Sequence, residues 1–276
     1  MRDADALSLQ GRAAFVMGGT TGIGRATAEL LRARGAQVGV FGAGGSSPED
    51  EIASQPGLQV FRGDGSVSAQ VQEAIAQTVQ AAGGLDMLVC AAAVHPYGTA
   101  VSTSEASWDR ALAVNLKSMY LTAHHGVPHL LRRGGGAIVN VASNQGTACN
   151  PDVAAYAASK GAALAFTRSL AVDFGPQGVR ANTVSPGPVD TPMLRAAAGQ
   201  FGAGRGRDAV GIDAVGLDAV GLDAVYADWS QRLPLRRIAC AEEIAELIVF
   251  LVSPQASFCT GADFVADGGL LAQLGF

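Results

Sequence analysis

The chain has 276 residues, of which 49% are hydrophobic and 16% charged, and its formal net charge is −5. This composition excludes a disordered, charge-rich chain, and without a basic stretch we expect no nucleic-acid partner. The longest apolar run, 247–252, is too short to cross a bilayer, so we expect no membrane partner. Four dispersed cysteines indicate a reducing compartment, and an acidic N-terminus without an apolar core predicts a cytoplasmic protein.

Strand-like apolar segments alternate with helix-like segments along the chain. Strands are predicted at 12–17, 37–41, 58–62, 85–90, 136–141, 179–184 and 263–266. Helices are predicted at 24–35, 69–82, 108–131, 153–174 and 242–251, the third after a capping box formed by Ser102 and Glu105. Strands rich in Val, Ile and Ala with helical crossovers indicate a doubly wound α/β fold around a parallel sheet. No linker divides the chain, so 1–276 is predicted to be one domain.

A repeat of five residues, beginning Asp-Ala-Val-Gly, occupies 208–227. Its period matches neither a helix nor a strand, and it is shorter than the repeats of solenoid proteins. We interpret it as a tandem duplication within a surface loop that tolerates insertion. A lid over a substrate is the alternative.

A glycine-rich turn lies between the first predicted strand and the first predicted helix. It contains Gly18, Thr20, Thr21, Gly22, Ile23 and Gly24. At such a turn, backbone N–H groups and the positive end of the helix bind the pyrophosphate of a dinucleotide. The spacing departs from the common G-x-G-x-x-G fingerprint, so the motif alone is also compatible with an ordinary turn.

The second predicted strand would set the choice between NAD and NADP. An acid at its end accepts the 2′-hydroxyl of the adenosine ribose and repels a 2′-phosphate. Gly42 stands there instead, which favours NADP. Ser46, Ser47 and Arg25 are candidate contacts for the phosphate, although ordinary loop and helix-surface positions are the simpler interpretation of these residues.

Three side chains further along suggest proton-transfer chemistry. Tyr156 and Lys160 are four residues apart on a predicted helix, so both project from one face. A neighbouring ammonium favours the phenolate and lowers the pKa of a tyrosine. Ser143 follows the fifth predicted strand, and the carboxyl ends of parallel strands face the ligand crevice. Each residue alone has an ordinary structural explanation, but together with the glycine-rich turn they indicate an enzyme.

The order and spacing of these motifs resemble the short-chain dehydrogenase/reductase family from Gly11 to Gly269. The resemblance also includes Asp64 and the segments 115–117, 138–143, 185–191, 242–245, 260–261 and 267–269. It implies a single Rossmann-like domain with about seven central strands and helices on both faces. It further implies an NAD- or NADP-dependent oxidoreductase that interconverts a secondary alcohol and a ketone. A homotetramer or homodimer is implied, with an interface on the helices at 108–131 and 153–174.

The resemblance also implies residue roles. Tyr156 would be the general acid and base, Ser143 would bind the reacting oxygen, and Lys160 would lower the pKa of Tyr156 and hold the nicotinamide ribose. Asn115 would anchor a water that connects Lys160 to solvent. The cofactor contacts would be Tyr156 and Lys160 together with Gly18, Thr20, Thr21, Gly22, Ile23, Gly24, Asp64, Gly65, Ala91, Pro186, Gly187, Val189 and Thr191. The substrate contacts would be His95, Tyr97, Ser143 and Gln145, and 193–229 would form a flap over the substrate.

The sequence departs from the family pattern in two places. Cys90-Ala-Ala-Ala93 replaces the usual Asn-Asn-Ala-Gly, and Met17 replaces a threonine before the first glycine. Neither change affects the four expected catalytic residues. A 3-oxoacyl-(acyl-carrier-protein) reductase and a non-catalytic nucleotide sensor remain alternatives. No metal site is expected, because the adjacent residues of the His124-His125-x3-His129 motif cannot both face one ion.

Overall fold

The computed structural model describes residues 8–44, 52, 54–200 and 219–274. Its main sheet consists of β1 (Ala13–Met17), β2 (Gln37–Gly42), β3 (Leu58–Arg62), β4 (Met87–Cys90), β5 (Gly136–Val141), β6 (Val179–Pro186) and β9 (Asp263–Ala266). These seven strands are all parallel, in the order β3-β2-β1-β4-β5-β6-β9. Two shorter strands, β7 (Val189–Asp190) and β8 (Ala239–Cys240), pair in parallel beside it.

Helices cover both faces of the sheet. They are α1 (Gly22–Ala33), α2 (Ser68–Ala82), α3 (Glu105–Leu112), α4 (Ser118–Arg132), α5 (Ala154–Phe174), α6 (Pro192–Gln200), α7 (Ala219–Gln231) and α8 (Ala241–Val252). On one face, Leu31 of α1 and Ile248 of α8 pack against the sheet. On the other, Ile75, Leu130 and Leu170 come from α2, α4 and α5. Within the described ranges, no helix has the length and apolar character that a membrane crossing requires.

The predicted helix at 108–131 is not continuous. The structure divides this region into α3, a π-helical segment at Ala113–Lys117, and α4. The helix also begins differently, because Ser104 rather than Ser102 is its N-cap and accepts a hydrogen bond from Ser107 N at 3.2 Å. The Ser102 hydroxyl instead accepts from Thr99 N. The capping-box prediction is therefore wrong.

The five-residue repeat is only partly within the described chain, because 201–218 lies outside it. The copy that begins at Asp223 lies in α7, so the prediction of a loop is wrong for 219–227. Tertiary packing explains the difference, since Val225 of this helix is buried. This part of the five-residue repeat is therefore helical, although its period had indicated a loop.

The glycine-rich turn lies where the strand order reverses between β1 and β4, which is where a doubly wound sheet opens its crevice. Gly18 has φ +73°, and a Cβ there would lie 2.3 Å from Ala92 N. A Cβ on Gly24 would lie 2.1 Å from Gly18 O. These positions therefore require glycine to keep the turn packed against both the start of α1 and the end of β4.

Candidate active site

A cavity of about 840 Å³ opens at the carboxyl ends of the central strands. It collects the cofactor and substrate contacts that the resemblance implied, namely Gly18, Thr20, Thr21, Gly22, Ile23, Gly24, Asp64, Gly65, Ala91, His95, Tyr97, Ser143, Gln145, Tyr156, Lys160, Pro186, Gly187, Val189 and Thr191. Parallel strands produce this arrangement, because their carboxyl ends all reach the same edge of the sheet.

The amino end of α1 has the properties of an anion site. Thr21 is the N-cap, but its side chain makes no capping hydrogen bond. Gly22, Ile23 and Gly24 line the cavity at this end, and the first N–H groups of a helix have no partner within the helix. Phe41 O holds the preceding turn by accepting from Gly18 N at 2.7 Å. This cradle fits the pyrophosphate of a dinucleotide.

Asp64 lies at the end of the cavity where an adenosine would bind. Its carboxylate accepts from Ser66 N at 2.9 Å, from Ser66 Oγ at 2.7 Å and from Arg110 Nη1 at 3.3 Å. The Ser66 hydrogen bonds lower its pKa, and Arg110 lowers it further. Sequence reasoning missed Arg110, which lies 46 residues away and forms no local motif with Asp64.

The end of β2 is formed by small residues. Gly42, Ala43 and Gly44 line the cavity there. Of the candidate phosphate contacts, Ser46 and Ser47 lie outside the described residues. Arg25 pairs with Glu29 at 3.0 Å and is not among the residues that line the cavity.

Tyr156, Ser143 and Lys160 lie together at the opposite end. Lys160 is 1% exposed, and its Nζ donates to Val141 O at 2.8 Å. The same nitrogen lies 5.7 Å from the centroid of the Tyr156 ring. Ser143 Oγ accepts from Gln145 N at 3.1 Å, which fixes the hydroxyl at the end of β5.

Burial dominates the electrostatics of this cluster. It raises the pKa of Tyr156, and a hydrogen bond with Ser143 acts in the opposite direction. It lowers the pKa of Lys160 to about 8, an effect that the electrostatic interaction with Cys90 opposes. The expected lowering of the Tyr156 pKa by Lys160 is not what this structure shows. A phenol with a raised pKa is protonated at neutral pH and can donate a proton.

Asn115 lies behind the cavity rather than in its lining. It is fully buried in the π-helical segment. Its amide accepts from Val94 N at 2.7 Å and donates to Val94 O and Ser159 Oγ, both at 2.9 Å. Ser159 Oγ in turn donates to Tyr156 O at 2.7 Å. Asn115 thus connects the loop after β4 to the helix that carries Tyr156 and Lys160.

The expected substrate contacts surround Tyr156. The His95 ring lies 4.0 Å from the Tyr156 ring and 4.5 Å from the Tyr97 ring, measured between centroids. Gln145 lines the cavity two residues beyond Ser143. Burial lowers the pKa of His95 to about 4, so the imidazole is neutral at physiological pH.

A polar cluster that the sequence did not reveal connects α6 and α7. Asp190 accepts from Arg195 Nε at 2.9 Å, from Arg195 Nη2 at 3.2 Å and from Tyr226 OH at 3.0 Å. Tyr226 stacks on Trp229, which lines the cavity. The only sequence signal was the position of Asp190 next to Thr191 in the recognised segment 185–191.

Metal ligands do not gather in the part of the chain that the structure describes, where no three His, Cys, Asp or Glu side chains could share an ion. His124, His125 and His129 lie on α4. His125 Nε2 is within 2.9 Å of Ser68 Oγ.

Comparison with known proteins identifies the family. The family model described as "Enoyl-(Acyl carrier protein) reductase" matches residues 18–210 and 211–271. An uncharacterized oxidoreductase of Thermotoga maritima is 32% identical over 269 residues, covering 96% of this chain and 100% of that protein. The cis-4-hydroxycyclohexanecarboxylate dehydrogenase of Sinomonas cyclohexanicum is 34% identical over 270 residues, covering 95% of this chain and 97% of that protein.

Solved structures agree with these matches. The ligand-free aldohexose dehydrogenase of Thermoplasma acidophilum superposes with a TM-score of 0.85 at 29% identity, covering 97% of each chain. The protein is thus an NAD(P)-dependent oxidoreductase that acts on CH–OH groups. The chain belongs to the short-chain dehydrogenase/reductase family.

Proposed function

We propose that this enzyme interconverts a secondary alcohol and a ketone, with Tyr156 as the general acid and base at the reacting oxygen. The observation that carries this proposal is that Tyr156, Ser143 and Lys160 share one cavity with the glycine-rich turn at the start of α1. A bound nicotinamide supplies or accepts the hydride. Binding, orientation and proton transfer belong to the residues of the chain.

In ketone reduction, the Tyr156 phenol donates its proton to the carbonyl oxygen. The Ser143 hydroxyl donates a hydrogen bond to the same oxygen as negative charge develops there. The ammonium of Lys160 stabilises the phenolate that remains and holds the nicotinamide ribose. Alcohol oxidation reverses the proton transfer. Asn115 acts as a positioning residue through Val94 and Ser159.

The substrate is a small secondary alcohol or its ketone. The names of the Thermoplasma and Sinomonas relatives denote dehydrogenases of an aldohexose and of a hydroxycyclohexanecarboxylate, and both of these compounds carry hydroxyl groups. A 3-oxoacyl thioester is the second candidate, because the matching family model carries the name of an acyl-carrier-protein reductase.

For the cofactor, we propose NADP(H) in preference to NAD(H). The described residues that line the cavity at the end of β2 are Gly42, Ala43 and Gly44, none of which would repel a 2′-phosphate.

For assembly, we propose a homotetramer or homodimer through α4 and α5, where Tyr120 and Val172 are exposed.

Fluorescence titration with NADH and NADPH, followed by a panel of ketones and alcohols read at the nicotinamide absorbance, tests the function. We expect tighter binding of NADPH and reduction of at least one ketone. Tight binding without turnover of any compound would favour a nucleotide sensor and contradict the proposed chemistry. A preference of about tenfold for NADH would contradict the cofactor assignment.

A further inference from the structure

The cavity has a cation at its adenosine end that the sequence motifs did not reveal. Arg110 lines the cavity and donates from Nη1 to Asp64 Oδ2 at 3.3 Å. The two other Lys or Arg residues in the described lining are Lys160, at the opposite end, and Arg232, which pairs with Asp228. A ligand group beside Asp64 therefore meets the guanidinium of Arg110.

The helical region that carries Arg110 turns one side toward the cavity. Arg110, Val114 and Ser118 are spaced four residues apart, from α3 through the π-helical segment to the start of α4, and all three line the cavity. Residues at this spacing lie along one side of a helix. Ser118 is fully buried, whereas the Arg110 side chain is 56% exposed. The row therefore runs from the interior of the cavity to its rim, and the guanidinium is at the rim.

The strand end beside this row is narrow and firmly held. Gly63 and Gly65 flank Asp64, and both line the cavity. A Cβ on Gly63 would collide with Gln70 Oε1, and the same oxygen accepts from Asp64 N at 2.8 Å. Because the two glycines carry no side chain, a planar base has room to lie against the backbone on either side of Asp64.

The ion pair leaves Asp64 able to bind a base as well. Oδ1 accepts both hydrogen bonds from Ser66, whereas Oδ2 accepts from Arg110 Nη1. A carboxylate oxygen offers two lone pairs, so Oδ2 can also accept from the exocyclic amino group of an adenine. A guanidinium is planar and stacks on aromatic faces. Asp64 therefore holds the guanidinium next to the place where the base would bind.

We propose that Arg110 stacks on the adenine of the bound cofactor, with Asp64 anchoring both the guanidinium and the base. Arg110 then determines cofactor affinity and takes no part in proton or hydride transfer. This inference rests on the proposed function for its dinucleotide, but it is independent of the role of Tyr156 and of the preference between NADP and NAD.

The test measures dissociation constants for NADPH and NADH by nicotinamide fluorescence, in the wild type, Arg110→Met and Arg237→Met. Methionine keeps an apolar stem and removes the guanidinium. We expect Arg110→Met to raise the Kd of both cofactors by about five- to tenfold, because the base loses its stacking partner. Arg237 is the matched control, since it pairs with Glu243 at 54% exposure and is not among the described lining residues. Arg237→Met keeps the wild-type Kd.

A modified cofactor distinguishes stacking from an indirect effect through Asp64. Deamino-NADPH and deamino-NADH carry hypoxanthine, which retains the ring face of adenine but lacks its amino group. We expect Arg110→Met to weaken their binding by the same factor as that of the adenine cofactors. A loss confined to the adenine cofactors would mean that Arg110 only orients Asp64, and would overturn the inference.

A second variant separates the planar group from its charge. Arg110→Lys keeps a cation beside Asp64 and is expected to raise the Kd of both cofactors by at least about threefold. Wild-type affinity in Arg110→Lys or in Arg110→Met overturns the stacking role. Circular dichroism verifies the fold of each variant, and Arg110→Lys decides alone where Arg110→Met does not fold. Failure of the wild type to bind any dinucleotide contradicts the proposed function itself.

Discussion

The ammonium group of Lys160 is buried in the interior of the protein. Its Nζ donates to one carbonyl oxygen and lies beside the Tyr156 ring. A compact ammonium suits this space, whereas the guanidinium of arginine would bring a planar group with five donors next to a single acceptor. The other lysine of the chain, Lys117, is exposed in the π-helical segment. The two lysines therefore allow a matched comparison.

Lys160→Arg is expected to lower kcat/KM for ketone reduction by at least about 100-fold, because the phenolate loses its positioned ammonium. Overpacking is expected to lower the free energy of unfolding by about 1–3 kcal/mol, measured by urea denaturation. Lys117→Arg should leave both quantities at wild-type values. Near-normal turnover of Lys160→Arg would show that no compact ammonium is needed there.

Local spacing predicted some residues of the site but not their partners. Tyr156 and Lys160 are detectable because four residues along a helix define one face. The pairing of Asp64 with Arg110 and the packing of His95 against Tyr156 depend on contacts between distant segments. The direction of the Tyr156 pKa shift could not be predicted from sequence either, because burial raises this pKa and burial depends on the complete fold.

At the scale of elements, the π-helical segment shows where hydrophobic periodicity fails. The spacing of apolar residues predicted one helix over 108–131. Such spacing does not reveal a local change in the hydrogen-bond register of the helix backbone. In the structure, Asn115 forms three hydrogen bonds with Val94 and Ser159 from within this segment. Single π-helical turns are often found at functional sites. The strands at 58–62, 136–141 and 263–266 were predicted with their observed bounds, because short segments containing Val, Ile or Phe are bounded there by glycine-containing turns.

Asp190, the last residue of β7, is hydrogen bonded to two helices, to α6 through Arg195 and to α7 through Tyr226. Its neighbour Thr191 lines the cavity at the expected nicotinamide contact. We infer that this carboxylate holds α6 and α7, the described parts of the expected flap, in their positions beside the cavity. The ion pair is partly exposed, so its contribution to overall stability is small.

Asp190→Asn is expected to raise the KM for the ketone by about three- to tenfold with a smaller change in kcat, because a looser flap weakens substrate binding. Steady-state kinetics with saturating cofactor measure both constants. Glu73→Gln is the matched control, since Glu73 accepts one hydrogen bond from Gln77 on the exposed surface of α2. A KM equal to that of the control would rule out the flap role of Asp190.

At the scale of the whole molecule, the candidate site forms because the carboxyl ends of the parallel strands lie at one edge of the sheet. The glycine-rich turn follows β1, Ser143 follows β5, and Tyr156 lies in the first turn of α5, the helix that leads to β6. The alternation of apolar strands and helices predicted this doubly wound sheet. It did not reveal α7 or the β7–β8 pair, because their segments are short or dominated by the repeat.

The central claim is that Tyr156 exchanges the proton of the reacting oxygen. Tyr156→Phe removes a single hydroxyl from this buried residue, and Ser257→Ala removes one from an exposed position outside α4 and α5. The decisive measurement is kcat for ketone reduction in both variants, with NADPH affinity measured on the same samples. We predict that Tyr156→Phe loses about 10³-fold in kcat at unchanged NADPH affinity, whereas Ser257→Ala keeps wild-type activity. Equal turnover by the two variants would contradict this account.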